Sequence, residues 1–245
     1  MARKRSRRVR PAEELVTAAA VPAVEEGATG AAMQPMFEFV ESGITPRTRL
    51  EELAAEPDDE RAIEAYRQLV LGDPANVGLR LHLGSRYEKR GEYALALEQY
   101  EAARAEAPDS VDVLVKIGGV LGMMGRFDRS EKELRRAVKI APDRADAAEA
   151  LGILQFKRGS YAQAEIDLRH ALALEPERPL SLFHRGEALN HLGRIDEALD
   201  MLERAVLANP RNAKAFFTMG ILYDRKHLRE EAQAMYRKAR EVAET

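Results

Sequence analysis

The chain contains no cysteine and no tryptophan. Without cysteine there is no disulfide framework, no thiolate metal site, no cysteine nucleophile and no lipidated cysteine near the N-terminus. This fits a reducing compartment, so a cytoplasmic protein is expected. No apolar run approaches the roughly 18–20 residues that span a bilayer. The N-terminus is basic, but Glu13 and Glu14 follow at once and the next stretch is only weakly apolar. A secretory leader needs an uncharged, strongly apolar segment there, so none is expected.

The 245 residues suffice for one large domain or two small ones, and 45% are apolar, enough to bury a core. The net charge of −3 hides an uneven distribution. Residues 1–10 hold six bases and no acid, residues 11–60 two bases and twelve acids, and the remainder 30 bases and 29 acids.

What the chain does have is a period. Gly84, Gly118, Gly152, Gly186 and Gly220 are spaced 34 apart. So are Pro74, Pro108, Pro142, Pro176 and Pro210, and Ala103, Ala137, Ala171, Ala205 and Ala239. Ala96, Ala164, Ala198 and Ala232 keep the same step, with Ser130 in the remaining slot. Several independent columns agreeing over five units identify a repeat protein.

Within a unit the spacing is helical. Leu114, Ile117, Gly118 and Leu121 fall at i, i+3, i+4 and i+7. Gly125 breaks that run, and Ser130, Leu134 and Ala137 define a second helix, closed by Pro142. Each unit is therefore helix–turn–helix. Gly118 and Ala137 mark close helix approaches, while Tyr87 and Tyr100 fill gaps between helices.

The segment "LGSRYEKRGEYALALEQYEAARAEAP" resembles the tetratricopeptide repeat: L-G-x-x-Y, then A-x-x-x-Y/F-x-x-A and a terminal proline. The resemblance implies an all-α, right-handed superhelical solenoid of five hairpins, at 77–110, 111–144, 145–178, 179–212 and 213–245. Gln155, Arg185 and Glu244 depart from the pattern. Ala62, Tyr66, Leu69 and Pro74 fit a second helix, so residues 47–76 are read as a degenerate repeat or capping helices. Residues 1–46 are read as a largely disordered arm. "MFEFVESGI" (36–44) is its one markedly apolar stretch.

The resemblance implies a non-catalytic adaptor or scaffold that holds a protein segment in a concave groove. The stripe opposite each inner helix's packing face should line it. It comprises Leu81, Ser85 and Glu88; Val115 and Gly119; Glu149, Ile153 and Phe156; Phe183, Glu187 and Asn190; Phe217, Ile221 and Asp224; and the flanking Gly78, Asp112, Gly122, Asp146, Leu180 and Lys214. Its six acids and one base point to an apolar, basic peptide as ligand. The family's carboxylate clamp for acidic chaperone tails is absent. Leu81, Val115, Glu149, Phe183 and Phe217 stand where its first lysine would be, and Ser85, Gly119, Ile153, Glu187 and Ile221 where its first asparagine would be.

No catalytic, cofactor or metal site is expected. His184 and His191 sit at i, i+7, about 10.5 Å apart along a helix, where metal pairs use i, i+3 or i, i+4. All five histidines are read as surface residues. "IGGVLGMMG" (117–125) follows no strand, and its glycines occupy repeat slots. The arm's Arg3, Lys4, Arg5, Arg7, Arg8 and Arg10 leave two alternatives. One is a structural subunit whose N-terminal arm contacts neighbours, including self-association through residues 1–46. The other is binding of nucleic acid or an anionic membrane. No aromatic residue in residues 1–10 could stack on bases.

Overall fold

The computed structural model describes residues 55–56 and 59–244. The basic residues of the arm, the apolar stretch 36–44 and the disorder expected of residues 1–46 lie outside the described residues. Eleven helices appear among the described residues. A single helix, α1 (Asp59–Gly72), comes first. Five hairpins follow: α2 (Val77–Lys89) with α3 (Tyr93–Glu106), α4 (Val111–Met123) with α5 (Phe127–Ile140), and α6 (Ala145–Lys157) with α7 (Tyr161–Leu174). The last two are α8 (Pro179–His191) with α9 (Ile195–Ala208), and α10 (Ala213–Arg225) with α11 (Arg229–Ala243).

The hairpins stack into a right-handed superhelical solenoid. The first helices α2, α4, α6, α8 and α10 touch one another in succession, while the second helices stand further apart. The first helices therefore line the inner side of the curve. The small-residue columns explain why each hairpin closes. A Cβ built on Gly152 would lie 2.6 Å from Leu168 Cγ, and one on Gly118 2.5 Å from Leu134 Cγ. Ala96, Ala164 and Ala198 are fully buried, and so is Ser130. Ser130 fits its alanine slot because its hydroxyl donates to Gly118 O at 2.6 Å.

Local signals set the helix ends. Asn76, Ser110 and Asn212 cap α2, α4 and α10, each side chain accepting a backbone N–H three residues on. Pro179 occupies the first turn of α8, where its missing donor costs nothing. The turn inside each hairpin needs a left-handed residue. Gly91, Gly125, Gly159 and Gly193 supply it at φ 72–78°, but one period later His227 takes φ 60°.

Two of the three departures from the repeat pattern, Gln155 and Arg185, are compensated by polar partners. Gln155 is buried and donates to Glu131 at 3.1 Å, and Glu131 also pairs with Arg158. Arg185 stands where a leucine is usual and pairs with buried Glu165 at 2.9 Å. Two apolar positions have become satisfied polar pairs.

Candidate functional site

The inner helices place the expected stripe on the concave side, but not uniformly in solvent. In the first hairpin Leu81 packs against the core cluster that contains Tyr66 and Tyr87. Glu88 accepts from Tyr100 Oη at 2.9 Å and pairs with Lys116 at 3.4 Å, and Ser85 Oγ lies 3.2 Å from the same hydroxyl. Burial raises the Tyr100 pKa above the ordinary tyrosine value, so it stays a neutral donor.

In the second hairpin Val115 packs partly against the core. Gly119 is exposed, and a Cβ there would meet nothing within 4 Å. Gly122 is instead buried, facing Leu154 and Ser130. In the third, Ile153 and Phe156 pack on Ala164, Leu168 and Ala188. In the fourth, Phe183 is half-buried against the cluster containing Leu182 and Leu202, and Glu187 is half-buried. Asn190 accepts from Arg225 at 2.8 Å. The last hairpin differs: Phe217 is 54% exposed and Ile221 37% exposed, and they lie one turn apart. Asp224 accepts from Tyr236 Oη at 2.8 Å.

The charge of the stripe needs correction. Glu149, placed in the groove by spacing, is buried. It accepts from Arg178 at 2.7 and 3.1 Å and from Ser181 at 2.7 Å. Asp112 and Asp146 both pair with Arg144 at 2.6 Å. Arg144 lies beside Asp146 and holds its carboxyl below the ordinary value. With Glu88 on Lys116, four of the six acids already have cations from this chain. Three cations, Lys116, Arg144 and Arg178, serve these four acids, so the acid excess that favours a basic ligand is reduced within the array but not removed.

The surface reading of the histidines holds for His82, His170, His191 and His227, which are exposed, and is corrected at His184. His184 is half-buried among Phe156 and Phe183, at centroid distances of 5.3 and 5.1 Å. Desolvation pushes its pKa down to about 4, so the ring is neutral near pH 7. His191 stacks on Tyr161 with centroids 4.0 Å apart. The sequence signal was available: Tyr161 and Phe156 flank one turn, and His191 lies at the matching turn of the next hairpin. Among the described residues no group of His, Asp or Glu could hold a metal ion, and no helix is long and apolar enough to cross a membrane.

Comparison with known proteins gives one consistent result. A tetratricopeptide repeat family model matches residues 87–154 and 155–216, and a second matches residues 60–111. Among solved structures the chain is similar to a MamA structure, 28% identical with TM-score 0.55, covering 73% of this chain and 97% of that one. It shares its fold with YrrB, described as "a TPR protein with an unusual peptide-binding site" (22% identical, TM-score 0.54, covering 74% and 93%). It also shares the fold of a chain in the APC/C hetero-tetramer Cut9–Hcn1 (15% identical, TM-score 0.71, covering 77% and 37%). No curated protein matches the chain. No enzymatic family is indicated, and the repeat fold supports a protein-interaction scaffold. The family match spans more than half of the sequence and lies within the observed helical hairpins, and the chain belongs to the tetratricopeptide repeat family.

Proposed function

We propose that the protein is a non-catalytic adaptor that holds an apolar segment of a partner protein on its concave face. The observation that carries this reading is the pair Phe217 and Ile221. They are exposed large apolar side chains one turn apart on an inner helix, whereas Phe183 and Ile153 at equivalent positions are half-buried. Aromatic anchors at such positions tend to dominate binding energy. With most groove acids already paired, apolar contact rather than net charge selects the segment.

The test is affinity capture with the wild-type chain and with a Phe217→Ala, Ile221→Ala double variant. The variant should melt within a few °C of wild type, because Phe217 and Ile221 are only partly buried and Phe217 gives up a single ring contact, with Tyr236. It should lose the captured protein. Retention of that protein by a folded variant would refute the assignment of the groove.

A further inference from the structure

The last hairpin differs from the others in the face it turns away from the array. In the fourth hairpin Leu202 and Ala205 are fully buried, in one cluster with Ala215, Phe216 and Met219 of α10. One period later the same positions hold Tyr236 and Ala239. These line an open cleft with Phe217, Ala243, Lys214 and Arg240. An inner helix covers this surface one hairpin earlier; here Ala239 is already buried, but Phe217 stays 54% exposed and Tyr236 half-buried, with nothing among the described residues over them.

The charges are reversed there as well. Asp112, in the first turn of α4, meets Arg144, the N-cap residue of α6. Glu149 of α6 meets Arg178, the N-cap residue of α8. Neither arginine side chain caps its own helix; each reaches an acid on the preceding inner helix. In α10 the residue equivalent to Asp112 is Lys214. Arg240 occupies the slot of Arg104, which reaches forward to Glu133 of the next hairpin at 3.3 Å. Lys214 and Arg240 make no ion pair among the described residues. The end face thus combines an apolar floor with two cations placed where the array's own junctions form ion pairs.

We propose that this C-terminal end face docks an amphipathic α-helix of a partner protein with an acidic residue at its N-cap. The helix lies where a following inner helix would lie. Its apolar stripe at i, i+3/i+4 and i+7 covers Phe217, Tyr236 and Ala243, and its N-terminal carboxylate meets Lys214. An aspartate suits both tasks, since it also satisfies the free N–H groups of its own first turn. A helix begun by arginine, as α6 and α8 are, would bring like charge against Lys214. This face lies at the end of the array and shares Lys214 and Phe217 with the concave stripe.

The probe is a pair of fluorescent peptides spanning residues 143–158, the α6 segment. One is native, with Arg144 at the N-cap; the other carries Arg144→Asp. Anisotropy titrations against the full chain at low salt should show the Arg144→Asp peptide binding at least about tenfold more tightly. Lys214→Asp in the protein, which recreates the arrangement at Asp112, should reverse the preference. Lys214→Gln should abolish it without reversing it. Lys214 is exposed, and circular dichroism melts of both variants should match wild type. No binding of the Arg144→Asp peptide at about 1 mM would overturn the docking face. Equal affinity of the two peptides, or a preference unmoved by either Lys214 variant, would overturn the charge assignment. Neither result bears on Ile221 or on capture of a partner by the concave face.

Discussion

Replacing Gly152 and Gly119 separately by alanine should change stability in opposite directions. Both glycines lie inside inner helices, so each substitution gains up to about 1 kcal/mol of helix propensity. At Gly152 the new methyl would lie 2.6 Å from Leu168 Cγ, 2.9 Å from Cδ2 and 3.1 Å from the Leu168 backbone nitrogen. Ordinary carbon contacts need about 3.5–4.0 Å. Leu168 is fully buried, so its side chain has no free volume to retreat into, and the backbone contact means that α6 and α7 must separate. Overpacking of this kind costs about 1–3 kcal/mol. Once the propensity gain is set against it, Gly152→Ala should destabilise by about 1–2 kcal/mol. Gly119 meets nothing within 4 Å, so Gly119→Ala should keep the gain and stabilise by about 0.5–1 kcal/mol. Urea unfolding followed at 222 nm measures both. Because a solenoid can open locally, hydrogen exchange in α6 and α7 should accompany the melts. Adding Leu168→Ala should shrink the Gly152→Ala penalty, since the two sites share one contact. If Gly119→Ala were the more damaging change, or Gly152→Ala were neutral, the assignment of packing and groove faces would be wrong.

His227→Gly should stabilise the last hairpin by about 1 kcal/mol, because a non-glycine residue is held at φ 60° where the other four hairpins use glycine; a thermal melt measures it, and a lower Tm would show that the His227 side chain contributes contacts of its own. Glu149→Ala should cost about 3 kcal/mol, since it removes Arg178's buried acceptor, leaving it only the exposed Glu175, and orphans the buried Ser181 hydroxyl; a loss below about 1 kcal/mol in urea unfolding would refute that role. His184 has a folded pKa of about 4 against an ordinary 6.5, lowered first by burial and then by Lys157 and Lys214, with Glu149 opposing. The unfolded chain therefore binds the proton more readily, so this contribution is intact above pH 6.5 and falls as the pH drops towards 4, by at most about 3 kcal/mol. His184→Gln should flatten the pH dependence of Tm in that window; an unchanged slope would mean that other groups cause it.

The sequence alone determined the period, the helical hairpin and its close approaches. These depend on local geometry: 3.6 residues per turn fixes which side chains share a face, and a 34-residue repeat carries that face unchanged from one hairpin to the next. Gly152, Ala164 and Leu168 could be assigned to one packed contact by counting. The turn signal was legible too, since Gly91, Gly125, Gly159 and Gly193 keep the period that ends at His227. Which groove acids stay free could not be counted in this way. Arg144 and Arg178 lie between helices, outside any stripe, and only the stacking of one hairpin on the next brings them within 2.7 Å of Asp112 and Glu149. Their 34-residue spacing was visible; their partners were not, because an ion pair depends on distance in space between hairpins. The burial of His184 has the same origin, since Phe156 reaches it from the preceding hairpin. Only the tertiary structure decided that Phe217 remains exposed while Phe183, at the same repeat position, is half-buried. The chemistry of the two positions is identical, and what differs is that, among the described residues, a further hairpin stacks beyond Phe183 and none beyond Phe217.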